Sequence, residues 1–170
     1  MVAMPVVASD ATDVTVTGGT LTITADPTVP NFTGVTLNGT AQTTTATLTT
    51  FEVNDARGSG AGWNVTVQGT QFKEHDGTIY VVSGKTLAVG SLSMAEPTVA
   101  QDGTTSASPS ITSGPYTIDD ASAVKIASAA TDTGMGKYDF SSTTFTLSIP
   151  AKTYATTYRS DVTVSVTTGP

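Results

Sequence analysis

The stretch Asn54-Asp55-Ala56-Arg57-Gly58-Ser59-Gly60-Ala61-Gly62-Trp63-Asn64-Val65-Thr66-Val67 changes character at one point, and the rest of the chain is read outward from it. As far as Gly62 it carries three glycines and the turn formers Asn54 and Asp55, the composition of a loop. From Trp63 onward apolar and polar residues alternate, so Trp63, Val65 and Val67 share one face of a strand, and that face is the core face.

The same period of two recurs on both sides. Asp13–Thr17 and Thr20–Thr24 alternate around Gly18-Gly19, which predicts a hairpin opening the domain. Asp26-Pro27-Thr28-Val29-Pro30 then interrupts pairing, because proline donates nothing to a ladder. Val35-Thr36-Leu37 meets a second hairpin signal at Asn38-Gly39, and a strand is expected from Thr45 through Val53. Toward the C-terminus, strands are expected at Thr78–Val82, Thr86–Leu92, Tyr116–Ile118, Val124–Ile126, Phe145–Ile149 and Asp161–Thr167. Asp76-Gly77, Ser83-Gly84, Asp102-Gly103 and Ser113-Gly114 punctuate them. Ala121–Ala130 is the one stretch with the makings of a short helix, and its serines argue against it; Ala100–Pro109 reads as an exposed loop. Short strands at this spacing predict a single all-β domain, an antiparallel β-sandwich or barrel-like fold over residues 13–170. Its core should hold Trp63, Val65, Val67, Leu147 and Ile149.

Composition agrees with that class and excludes several functions. Threonine makes up about a fifth of the 170 residues, a β-branched excess that favours pleated strands. With no cysteine, neither a disulfide framework nor a thiolate metal site is available. The net charge of −7, with seven scattered lysines and arginines, leaves no basic patch for nucleic acid or anionic membrane. No apolar run approaches the roughly 18 residues of a membrane span. Residues 1–12 read as a flexible N-terminal segment or the remnant of an export signal. Met1–Ala8 precedes Ser9-Asp10, with the small residues Val6 and Ala8 at −3 and −1 of a cleavage site.

Candidate chemistry is sparse. His75 is the only histidine, and Lys73-Glu74-His75-Asp76-Gly77 places it in a polar turn, where an exposed turn residue is the expected reading. No serine lies in a Gly-x-Ser-x-Gly elbow. Paired carboxylates, Asp119-Asp120 or Glu74 with Asp76, are candidates for glycosidase chemistry, but adjacent acids on a strand face opposite ways. The same acids with Asp102 and Asp132 are candidate oxygen ligands for a structural calcium ion; no other cofactor is expected. The reading is non-enzymatic. Asp55-Ala56-Arg57-Gly58-Ser59-Gly60-Ala61-Gly62-Trp63 remains the richest stretch and admits two readings. Asp55, Arg57, Gly58, Gly60, Gly62 and Trp63 either present a ligand surface, or an Asp55–Arg57 contact braces a glycine turn beside a core tryptophan.

This run resembles the signature of the WxL domains of Gram-positive surface proteins, an Asp-x-Arg-Gly-(Ser/Thr)-Gly-x-Gly segment preceding Trp-x-Leu. Asp55, Arg57, Gly58, Ser59, Gly60, Gly62 and Trp63 match, and Val65 stands where the family has leucine. The resemblance extends upstream to Val29-Pro30-Asn31-Phe32 and downstream through Phe145–Pro150 to Thr153-Tyr154-Ala155 and Tyr158. It implies a secreted, β-sandwich-like domain attached non-covalently to the cell wall through peptidoglycan. The family's second Trp-x-Leu aligns with Val164-Ser165-Val166, so its aromatic residue is absent. That departure keeps a rival reading in play, a self-assembling subunit of a surface fibre or layer. Its terminal strand, with Val162, Val164 and Val166 on one face, would add to another subunit's sheet edge or pair with other surface proteins.

Overall fold

The computed structural model describes residues 11–103 and 106–169, so of the N-terminal segment 1–12 the first ten residues, the signal-like Met1–Ala8 among them, lie outside the described residues. The described chain is all β. In order its strands are β1 (Leu21–Ile23), β2 (Gln42–Leu48), β3 (Phe51–Asp55), β4 (Trp63–Gly69), β5 (Lys73–Glu74), β6 (Leu92–Met94) and β7 (Val99–Asp102). They continue as β8 (Ser110–Ile111), β9 (Tyr116–Thr117), β10 (Val124–Ala129), β11 (Gly136–Phe140), β12 (Thr143–Ile149), β13 (Tyr158–Arg159) and β14 (Val162–Thr168). Three four-stranded antiparallel sheets have the orders β1-β3-β11-β7, β14-β4-β10-β8 and β2-β12-β6-β9, and β13 pairs with β5 in a small ribbon.

The sheets pack in sandwich fashion around one core. Trp63, Val65 and Val67 are fully buried, as their alternation requires, and their β4 neighbours Asn64, Thr66 and Gln68 are half-buried. Phe51 and Phe140 face each other across β3 and β11, their rings stacked at 4.6 Å. Leu147 is also in the core, whereas Ile149 is only partly buried and packs at its margin.

Several sequence expectations need correction, each for a physical reason. No hairpin forms at Gly18-Gly19: Val14 and Val16 are exposed, and β1 pairs instead with β3. The two glycines permit a close backbone approach, since a Cβ on Gly18 would collide with the Arg57 carbonyl and the Gly19 amide donates to Ala56 O at 2.7 Å. The expected strand from Thr45 through Val53 is two strands in different sheets, β2 and β3. Leu48 and Phe51 both face inward, a spacing of three that a single strand cannot deliver, so the chain turns a corner at Thr49-Thr50.

Val35–Leu37 is not a strand; Asn38 folds its side chain onto the Thr40 amide and hydroxyl at 3.0 and 2.8 Å, ending the segment before β2. Thr78–Val82 contributes only an isolated bridge from Tyr80 to His75, and Thr86–Leu92 a bridge from Thr86 to Lys73 and, in Leu92, the first residue of β6. Ala121–Ala130 contains β10 and no helix, and its serine and alanines suit close packing between β4 and β8. Within 100–109, residues up to Asp102 form β7 with the unanticipated β11. The polar spacing of Gly136–Phe140 is a strand pattern in which Tyr138 and Phe140 alone face the core.

Candidate functional site

The segment Ala56–Gly62 that connects β3 to β4 is held from within. Asp55 belongs to β3 and points inward in phase with Phe51 and Val53, so its carboxylate is buried. Arg57 answers it with two parallel bonds, Nε to Oδ1 at 2.8 Å and Nη2 to Oδ2 at 2.9 Å. The same guanidinium donates to Gly62 O at 2.7 Å and to Thr168 Oγ1 of β14 at 2.8 Å. Hydrogen bonding to Arg57 outweighs burial and holds the Asp55 carboxyl below its usual range, and the same bonds raise Arg57 further.

The glycines and the tryptophan complete the brace. Gly58, Gly60 and Gly62 all have positive φ. At Gly62 a Cβ would run into the backbone of Ala129 and Ala130, so only glycine lets the loop lie against the end of β10. The Trp63 indole Nε1 donates to Gly134 O at 2.8 Å, and its ring tilts against Tyr138 at 5.7 Å. An indole with no exposed surface cannot stack on a ligand. Asp55, Arg57, Gly60, Gly62 and Trp63 are thus brought together as a bracing cluster, Gly58 lies exposed with open space around it, and Trp63 presents nothing to solvent.

The candidate carboxylates are dispersed. Asp119 is buried and accepts the amides of Gly90, Ser91 and Leu92 at 2.9–3.1 Å. Glu74 accepts from the Lys85 amide and the Thr156 hydroxyl, and Asp76 from the amides of Thr78 and Ile79. Among the described residues no three acids or histidines gather into a cluster that would hold a metal ion. His75 is not the exposed turn residue its sequence neighbours suggest: it is 4% exposed, because β5 carries it inward beneath Tyr80.

A wide opening lies elsewhere, a cleft of about 1150 Å³. One wall is the inner face of β2 and β12 with Thr44, Leu48 and Leu147, and another is β14 with Val162 and Val164. Residues 27–37 cross it as a strap. This strap is fastened by few bonds: Thr28 pairs with Thr49, Thr44 Oγ1 donates to Thr33 O at 2.8 Å, and Gln42 Nε2 to Thr36 O at 3.1 Å. Phe32 reaches down from it to meet Phe72 edge-on at 5.9 Å.

Another part of the lining is aromatic and cationic. Tyr154 is 63% exposed and lies under Lys85 Nζ at 4.3 Å, Tyr158 donates to Tyr154 O at 3.0 Å, and Arg159 follows on β13. Desolvation, with the nearby Glu74 carboxylate, raises the Tyr158 phenol. A cleft of this size with apolar walls and a few convergent polar groups is the usual form of a ligand site. Sequence reasoning reached Tyr154 and Tyr158 only through a family resemblance and missed Arg159. Its elements lie far apart in the chain, and no local pattern joins them.

The geometry defines an all-β, sandwich-like domain with a braced loop and an open, ligand-sized cleft. The WxL family, described as "WxL domain surface cell wall-binding", matches residues 5–170, and the chain belongs to that family. No curated protein and no solved structure matches it.

Proposed function

We propose that this is a secreted, non-catalytic domain that attaches to the cell wall non-covalently through peptidoglycan, and that the strapped cleft is the attachment surface. Membership of a surface wall-binding family supports the general reading. The cleft carries the specific one: about 1150 Å³ of space edged by Tyr154, Tyr158 and Arg159 is suited to a polymer segment, whereas Asp55, Arg57 and Trp63 of the signature stretch are engaged internally. Cosedimentation with purified peptidoglycan sacculi tests it. The protein should pellet with sacculi, and Tyr154→Ala, an exposed position, should reduce the pelleted fraction without altering the melting curve. A protein that stays in the supernatant at all sacculus concentrations contradicts the reading.

One observation favours assembly as a second reading. In its sheet β14 pairs with β4 alone, so it stands at the sheet's margin, with Val162, Val164 and Val166 half-buried and Thr163 exposed. A marginal strand of β-branched residues is a template for another chain. Concentration-dependent size exclusion distinguishes the two: filaments or oligomers lost in a β14 proline variant support assembly, and a monomer at every concentration contradicts it.

A further inference from the structure

We infer that the Arg159 end of the cleft is a binding site for a peptide carboxylate, with the peptide running beneath the 27–37 strap; this rests on the peptidoglycan reading and names the part of the polymer that is held. Two observations carry it. The first is a shortage of acceptors around His75. Its Nδ1 lies 3.0 Å from the Gly77 amide and its Nε2 3.1 Å from Arg159 Nη1. Amide and guanidinium are both obligate donors, and an imidazole always keeps at least one N–H. Whichever nitrogen bears it, one of the two contacts sets donor against donor.

The neighbouring acids do not relieve this. Glu74 and Asp76 are engaged as described, and Asp161 Oδ2 accepts the Tyr80 hydroxyl at 2.7 Å. Among the described residues Arg159 has no carboxylate at ion-pair distance, unlike Arg57 and Lys137. A ligand carboxylate at this point supplies two charged acceptors to a guanidinium that has none. In a chain of net charge −7 the long-range field opposes anions, so the selection must be this local.

The second observation is the strap. The backbone amides from Asn31 to Leu37 make no hydrogen bond within the described residues, although Phe32 and Val29 pack against the core. Unused amides alongside apolar walls of Phe32, Phe72, Leu87 and Leu147 match an extended peptide with small apolar side chains, whose carbonyls the amides would meet. A glycan of N-acetylated sugars offers a single acetamido carbonyl per ring, not one at every residue of an extended backbone. Free carboxylates on short peptides of this kind are the chemistry of peptidoglycan stem peptides.

Three probes test it by amide-resolved NMR titration: a stem peptide with a free C-terminal carboxylate, the same peptide as its C-terminal amide, and glycan chains stripped of peptide. The free-acid peptide should perturb the amides of Thr157–Arg159 and Asn31–Leu37. Amidation, or Arg159→Ala, should weaken binding by at least about tenfold, the effect of losing one charged hydrogen bond. Arg159→Lys should retain part of it. If Arg159→Ala shifts the spectrum globally, Arg159→Gln replaces it. Glycan binding equal to or tighter than peptide binding, or sacculus binding unchanged by Arg159→Ala, overturns the carboxylate site and leaves wall attachment standing. Failure of the wild-type protein to pellet with sacculi, with free peptide still bound at the cleft, overturns wall attachment and keeps the site. Absence of any peptide-induced shift overturns this proposal outright.

Discussion

Two irregular segments of this chain differ in how they are held. The loop Ala56–Gly62 is fastened by a two-toothed ion pair, by Arg57 bonds to Gly62 and Thr168, and by the Asp132 amide on Gly60 O. The strap of residues 27–37 lines the cleft with a handful of threonine and glutamine contacts, and its amides from Asn31 to Leu37 make no hydrogen bond within the described residues. Density of internal bonding separates structural from binding segments, because groups already paired inside the protein have nothing left for a ligand. The most recognisable motif in the sequence is the more densely bonded of the two.

The sharpest way to break this contrast is to remove the tryptophan. Trp63→Ala deletes a fully buried ring and its bond to Gly134, and should cost about 3–5 kcal/mol by urea denaturation. Near-native stability would mean that Trp63 is not the anchor of the core. Arg57→Ala comes next. It strands a buried Asp55 carboxylate and should cost about 1–3 kcal/mol, visible as a lower urea midpoint at neutral pH. An unchanged midpoint would remove the brace from the account.

The same pair sets a pH signature. The folded Asp55 carboxyl is lowered from 3.8, so its contribution is fully present above that value and is lost as pH falls through the lower folded one. Glu52, lowered from 4.5 chiefly by the Thr24 hydroxyl and then by Lys137, acts in the same direction. Stability should fall on acidification below about pH 4, and Arg57→Ala should flatten that limb only in part. An acid limb of equal steepness in the variant would assign the effect to other groups. The smallest effect belongs to the cleft: Arg159→Ala, at an exposed position, should change stability by less than about 0.5 kcal/mol. A larger loss would make Arg159 a second brace.

The fold class was legible because Trp63–Val67, Phe145–Ile149 and Val162–Val166 carry a period of two that only sheets satisfy. What stayed hidden was non-local. The glycine pair at 18–19 reads as a turn in isolation and becomes an approach surface only once Arg57 is beside it. Gly136–Phe140 looks too polar for a central strand until β3 and β7 flank it. At the site, Asp55 and Arg57 are two residues apart, and their pairing was within reach of local reasoning. The cleft draws on segments near residues 30, 75 and 159, whose meeting no single window of sequence contains. Val164, which stands where the family has its second tryptophan, pairs with Val67 of β4 and lines the cleft.

The most direct measurement is sacculus cosedimentation of Arg57→Ala and Arg159→Ala side by side, at a temperature where circular dichroism shows both fully folded. The account predicts that Arg57→Ala pellets like the wild type while Arg159→Ala is left largely in the supernatant. The reverse result, with the braced loop needed for attachment and the cleft dispensable, would contradict it.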